Sequence, residues 1–408
     1  MSQRPVNTIL VLAPGLVAFS MGQTVLFALA GPVFRDIGLS ETQLGILVSA
    51  AAVVFVVSSG FWGRWSDRWG RKPTIVFGLV TYGIISLLFA YTLQLGLQGA
   101  FTAATAFTYL LILRLLYAAL GAGIQPASVA LMADVSSAAD RSSAVAQVGA
   151  AFGIGMVLGP AAAAALVGFG VLTPLYAIAV LGLITAGVAA FALPGGAPVQ
   201  AGVEETSGTG SLRLIHLGAL LIGGFLVYTT LAALQQTLAF NVQDLLGTDS
   251  ADAARLTGFC FMAIAIAMLA VQGGLIQWLK PNPVTLLFAG LPTIIIALLV
   301  YTLASSYVQL LLAAALLGVG FGLSTPGMQS AASVMAGQDE QGRIAGVMQA
   351  MMSMGFVVGP LVGTQLYALE RTYASQFCIA VMALATVLTW TWAWRNRAKL
   401  RPIQQGGG

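Results

Sequence analysis

Apolar stretches of about twenty residues alternate with short polar breaks along the whole chain. Twelve stand out, at about 7–34, 43–62, 73–95, 104–133, 142–167, 172–193, 213–240, 254–277, 284–304, 307–334, 342–368 and 373–394. Each is long enough to cross roughly 30 Å of hydrocarbon as a helix. A lipid-exposed segment must satisfy its own backbone hydrogen bonds, so every stretch is predicted to be an α-helix. Glycine recurs inside them, which suits close helix packing in lipid. The first stretch follows a weakly basic end at Arg4. It is too long for a signal-peptide core and has no convincing cleavage site, so it is read as a retained first helix.

The densest polar break is Gly63–Pro73, GRWSDRWGRKP, with Arg64, Asp67, Arg68, Arg71 and Lys72 following an uncharged run from Leu44 to Gly60. It is predicted to be a loop in water or headgroups. Composition agrees with a multi-pass membrane protein: 7% of the residues are charged and 58% are hydrophobic, against about a quarter charged in soluble domains. Counting cations by break orients the chain. Thirteen fall on the side of the Gly63–Pro73 break (Arg4, Arg64, Arg68, Arg71, Lys72, Arg141, Arg213, Lys280, Arg343, Arg395, Arg397, Lys399 and Arg401), and three on the other (Arg35, Arg255 and Arg371). Both termini are therefore expected in the cytoplasm and the protein in the cell's inner membrane. The basic balance reflects topology, and nucleic acid binding is not implied. Trp390, Trp392 and Trp394, ahead of the basic tail, are read as an interfacial aromatic belt.

Between the sixth and seventh stretches, Pro194–Ser211 is rich in Gly, Pro, Ala and Ser and contains Glu204 and Glu205, the composition of a flexible linker. The predicted organisation is a six-helix bundle over 1–193, a cytoplasmic linker over 194–211, a second six-helix bundle over 212–396 and a cytoplasmic tail over 397–408. An internal echo supports a duplication. GIGMVLGP at 153–160 returns as SMGFVVGP at 353–360, and Pro126 returns as Pro326, both at an offset of 200 residues. Two such repeats are expected to enclose a site near the membrane midplane.

Gly63, Asp67, Arg68, Gly70, Arg71 and Lys72, with Trp65 in place of a leucine, match the pattern G-x-L-x-D-R-x-G-R-K/R. Arg114, Gly121, Gly123 and Pro126 in span four, and Gly155, Gly159 and Pro160 in span five, match two further patterns in part. Over essentially its whole length the chain resembles the major facilitator superfamily. Within it, the likeness is to the twelve-helix drug:proton antiporters that include tetracycline and multidrug exporters. The resemblance implies an all-α membrane protein of two pseudo-symmetric six-helix bundles, the major facilitator fold. It also implies a latch between the halves, in which Arg71 joins a charge relay with an acid at the end of span four, here Asp134. G-x-x-x-G-P in span five is the mark of the antiporters.

The residues carry a reading of their own beside the resemblance. Arg114 is the one charge well inside a span, where insertion costs about 2.5–3.5 kcal/mol. Arg114, Tyr117, Gly121 and Gln125 recur at i, i+3, i+7 and i+11, one helix face that is expected to line a cavity. Gln23, Tyr228, Gln235, Gln349 and Ser353 are the best of the other buried polar groups for an uncharged binding site. Gly155, Gly159 and Pro160, with Gly355, Gly359 and Pro360, are read as hinge and packing elements. Asp36, Asp67 and Asp134 are the coupling candidates, since no carboxylate lies near a helix centre. Cys260 and Cys378 lie inside apolar spans and His216 at the entrance of one, so neither a metal centre nor an enzyme's nucleophile and base is indicated, and no cofactor is expected. The function expected is proton-coupled efflux of small amphipathic neutral or anionic compounds by a monomer. The alternatives are a dedicated exporter or permease of an anionic metabolite, such as a carboxylate siderophore, and a non-transporting membrane receptor.

Overall fold

The computed structural model describes residues 3–137, 139–194, 211–336 and 341–400. Most of the predicted linker, at 195–210, and the end of the predicted tail, at 401–408, lie outside the described residues. Regular structure among the described residues is helical throughout. Among the described residues, twelve helices or helix combinations are long and apolar enough to cross a membrane, from Asn7–Asp36 to Tyr373–Arg395. They coincide with the twelve predicted spans, and the protein is an all-α, multi-pass membrane protein.

The first spans are α1 (Gln3–Asp36), α2 (Glu41–Trp69) and α3 (Arg71–Leu97). Span four is broken into α4 (Ala103–Gly121) and α5 (Ile124–Val135), and spans five and six are α6 (Arg141–Leu166) and α7 (Thr173–Ala192). Span seven is α8 (Ser211–Leu246). Span eight comprises α9 (Ser250–Leu269), a π-helical turn (Ala270–Leu275) and α10 (Ile276–Leu279). Spans nine to twelve are α11 (Pro283–Thr302), α12 (Tyr307–Ala336), α13 (Gln341–Leu369) and α14 (Tyr373–Arg395), followed by the short α15 (Arg397–Leu400).

Local chemistry sets several of the starts. Ser40 forms a capping box with Gln43, its hydroxyl accepting from Gln43 N at 3.3 Å while Ser40 N donates to Gln43 Oε1 at 2.8 Å. Thr102 and Asn282 cap α4 and α11 through Thr105 N and Thr285 N.

The chain forms two compact units, Met1–Glu205 with Thr248–Phe259, and Thr206–Gly247 with Cys260–Gly408. In the first, Phe19 of α1 lies at the centre of an aromatic cluster, 5.3 Å from Tyr82, 5.8 Å from Tyr117 and 5.9 Å from Phe152. Lipid is as apolar as leucine, so helices must be held by close packing and polar contacts instead. Glycine supplies the closeness in both units. A Cβ on Gly155 of α6 would collide with the Val17 carbonyl of α1, and one on Gly359 of α13 with the Thr229 carbonyl of α8. The contact between spans one and five thus recurs, within the second unit, between spans seven and eleven. Both helices run on through Pro160 and Pro360.

The predicted aromatic belt needs correction. Of its three tryptophans, Trp394 is well exposed, but Trp392 is buried and donates to the His216 carbonyl at 2.6 Å. Trp390 donates to the Leu287 carbonyl at 3.2 Å and stacks on Phe288. An indole N–H inside a helix bundle finds a carbonyl, so these two tie helices together within the second unit. Exposed indoles do occur at the end of α2, where Trp65 and Trp69 face outward.

Candidate functional site

The charged segment expected to be a loop is almost wholly helical. α2 continues to Trp69, Gly70 alone breaks the chain, and α3 begins at Arg71. Gly70 sits at φ 105°, a region that favours glycine. Two turns of helix can carry this much charge because they extend past the apolar segment, where side chains reach polar surroundings.

That turn aims Arg71 back along α2. Its Nη1 pairs with Asp67 and donates to Ser66 Oγ at 2.7 Å, while Nε donates to Asp134 Oδ2 at 3.2 Å. Ser66 in turn donates to the Gly63 carbonyl at 2.8 Å. One guanidinium therefore bridges two carboxylates, the second from the end of α5. Lys72 Nζ donates to the Leu193 carbonyl at 2.8 Å, and Trp62 Nε1 to the Ala119 carbonyl at 2.6 Å. The motif thus fastens the ends of spans two, three, four and six within the first unit, while Arg64 and Arg68 stay exposed. Asp67 and Asp134 keep about a third of their side-chain surface, so the ion pairs contribute about 1 kcal/mol or less each. A contact that weak can be made and broken readily.

Arg114 is 8% exposed. Its Nη2 donates to Gln23 Oε1 at 2.9 Å, and its guanidinium carbon lies 4.7 Å from the centre of the Tyr117 ring. Gln23, Arg114 and Tyr117 are thus brought together in the first unit. Arg114 Nε and the Tyr117 hydroxyl have no hydrogen-bond partner. They border a cavity of about 30 Å³, also lined by Gly22, Tyr82 and Ser86, large enough for a water molecule. Gln125 is not part of this group. The helix ends at Gly121 and restarts at Ile124, and Gln125 is exposed beyond the break, so the expected four-residue face does not run through. The break coincides with tight packing, for a Cβ on Gly123 would come within 3.1 Å of Trp62 and Thr74 side-chain atoms.

In the second unit, Gln349 lines a cavity of about 450 Å³ together with Gln329, Ser333, Met348 and Met352. Ser353, one turn on from Gln349, donates to the Gln349 carbonyl at 2.9 Å. Sequence reasoning did not single out Ser333, Met348 or Met352. The signal was present, because Gln329 and Ser333 repeat the four-residue spacing of Gln349 and Ser353. Tyr228 packs edge-on against Phe356 at 5.7 Å. Gln235 lies in a separate apolar cavity of about 10 Å³, with Tyr301 and Phe321 among its lining, and its Oε1 has no partner. Tyr228 and Gln235 share a helix face but no pocket.

Gly155, Gly159, Gly355 and Gly359 all stand at helix crossings, since a Cβ on any of them would meet backbone of the facing helix. Asp36 is exposed at the end of α1, and its neighbour Arg35 pairs with Glu41 at 2.6 Å. At the corresponding end of the second unit, Arg371 donates to Asn241 at 3.0 Å and Tyr367 to Asp244 at 2.6 Å. Among the described residues no group of three or more His, Cys, Asp or Glu is placed to hold a metal ion.

The family model of the Major Facilitator Superfamily matches residues 12–349 and 283–408. Multidrug resistance protein 2 of Bacillus subtilis is 27% identical over 404 residues, covering 96% of this chain and 97% of that protein. The quinolone resistance protein NorA of Staphylococcus aureus is 24% identical over 380 residues, covering 91% and 92%. Among solved structures, the fold is similar to an inward-facing, unoccupied bacterial homologue of the human lysosomal transporter Spinster, with a TM-score of 0.75 at 15% identity over 99% of this chain and all of that one. It is also similar to the human organic anion transporter MFSD10, with a TM-score of 0.64 at 20% identity over 94% and 99%.

Proposed function

The chain belongs to the Major Facilitator Superfamily and is a secondary transporter rather than an enzyme, and we propose that it exports small amphipathic compounds, neutral ones above all, in exchange for protons. The observation that carries this reading is the lining of the cavity of about 450 Å³ beside Gln349. Two amides, one hydroxyl and two methionines offer adaptable hydrogen bonds and polarizable apolar surface without a charge. Such a surface accepts many shapes and has nothing to pair with an ionic cargo. The drug-resistance relatives, similar over nearly the whole chain, support export.

In this reading the protein works as a monomer by alternating access, with both termini in the cytoplasm. Asp67, Arg71 and Asp134 form a latch that holds one state, and protonation of either carboxylate removes half of what Arg71 bridges. The glycine crossings of spans five and eleven serve as the packed hinges. A second reading has one observation in its favour. Arg114 has an unpartnered Nε beside an unpartnered Tyr117 hydroxyl, which fits a dedicated exporter or permease of an anionic metabolite, such as a carboxylate siderophore.

Proteoliposomes loaded with a pH dye and offered neutral, cationic and carboxylate-bearing compounds separate the two. Proton movement driven by neutral compounds and surviving Arg114→Ala is the expected result. A response confined to carboxylates and lost with Arg114→Ala assigns the second reading, and no proton movement with any compound refutes antiport.

A further inference from the structure

We propose that the groove between the start of α11 and the end of α14 is a binding site for one anionic phospholipid. The groove encloses about 520 Å³ and has two kinds of wall. Arg397, Asn282 and Thr285 form the polar one, and Val284, Phe288, Ala289 and Trp394 the apolar one.

The polar wall is arranged for a phosphodiester. Arg397 sits against the Trp394 ring, its guanidinium carbon 4.2 Å from the ring centre, which holds the cation at the groove, where its N–H fork can meet two phosphate oxygens. Asn282 Oδ1 accepts from Thr285 N at 2.9 Å and from Thr285 Oγ1 at 3.1 Å. With Oδ1 so engaged, Nδ2 is the amide atom that remains to donate to a ligand in the groove that Asn282 lines. Charge complementarity is one-sided: Lys280, Arg395, Arg397 and Lys399 fall in the segments 276–302 and 373–400, and neither segment contains an Asp or Glu. Clusters of this kind at the ends of membrane helices attract anionic headgroups.

The apolar wall decides between a lipid and a free ion. Phe288 stacks on Trp390 at 4.5 Å with the rings nearly parallel, and Trp390 is held in turn by the Leu287 carbonyl. This rigid surface continues from the polar wall along α11, where the glycerol and first methylenes of a lipid would lie. A phosphate ion would leave that half of the groove bare. Trp394 is 60% exposed, as suits an indole at headgroup level.

The full-length protein, assembled in nanodiscs of mixed phosphatidylglycerol and phosphatidylcholine and then released into detergent, is examined by native mass spectrometry for retained lipid. One phosphatidylglycerol is expected to be kept in preference to phosphatidylcholine, with retention falling about tenfold in Arg397→Gln. Ala289→Trp fills the apolar half without changing any charge and is expected to lower retention as much. Both residues are exposed, and a thermal melt confirms that each variant is folded. Equal retention of the two lipids overturns the proposal, as does retention unchanged in Arg397→Gln. Loss in Arg397→Gln with none in Ala289→Trp reduces the site to diffuse surface charge, and displacement by millimolar inorganic phosphate makes it an ion site; either result also overturns it.

Discussion

Span four of the first unit carries Arg114 where span ten of the second, 200 residues on, carries Ala314. Around Arg114 the packing is polar at its tips, with Gln23, Tyr117 and Tyr82 at hand. Ala314 is 2% exposed among Leu310, Leu317 and Phe321. The backbones differ too, since α4 stops at Gly121 and restarts as α5, whereas α12 is one helix from Tyr307 to Ala336 through Pro326. At the other diagnostic position the first unit has Asp134, paired with Arg71, and the second has the exposed Val334. What the two units share is the glycine crossing of spans one and five and of spans seven and eleven. That shared part is kept by packing, whereas at these two positions the charges stand in the first unit.

The largest effect is expected from moving the charge across. Ala314→Arg places a guanidinium in a pocket whose only polar groups are Gln235 and Tyr301, and an uncompensated buried charge costs roughly 3–5 kcal/mol. Little folded protein should survive extraction, as size-exclusion chromatography would show. A stable Ala314→Arg variant would mean that the second unit can solvate a charge as the first does, and the contrast would fail.

A smaller loss tests what the units have in common. Gly155→Ala and Gly359→Ala each push a Cβ against a backbone carbonyl that cannot move by itself, at a cost of about 1–3 kcal/mol. Gly149→Ala meets nothing within 4 Å and gains from the better helix propensity of alanine, by up to about 1 kcal/mol. Thermal melts in detergent should show two similar drops and no drop for the control. A drop in one crossing only would mean that the repeats do not depend on equivalent contacts.

The twelve spans were legible because length and apolarity suffice to specify a membrane helix, and Arg114 was legible as a charge that hydrocarbon does not tolerate alone. The interior punctuation was not. The break at residues 122–123 coincides with Gly123 lying against Trp62 and Thr74, contacts between spans that no local pattern announces. The π turn at Ala270–Leu275 was marked only by the adjacent Gly273 and Gly274. Charge density at Gly63–Pro73 read as loop because local charge looks the same on a protruding helix. Trp390 and Trp392 read as a belt because their carbonyl partners are 103 and 176 residues away. For the site, residue types were visible in sequence, but partnership was not. Nothing local links Gln23 to Arg114 or separates Gln125 from it.

The smallest structural effect is expected at the relay, where function and stability should part company. Arg71 reaches Asp67 and Asp134 from two different nitrogens, a span that the single ammonium of Arg71→Lys cannot reproduce. Pairs this exposed contribute little, so Arg71→Lys and Asp134→Asn should each lower stability by no more than about 1 kcal/mol. On the proposed function, in which the Arg71 bridge is a latch made and broken in every cycle, substrate-driven proton movement in proteoliposomes should nonetheless fall severalfold in both. Lys280→Ala is the matched change in the second unit, at a junction with no acid in segment 276–302, and should leave turnover alone. If all three variants transport alike, the Arg71 bridge is an anchor of topology, and the asymmetry between the units lies in Arg114 alone.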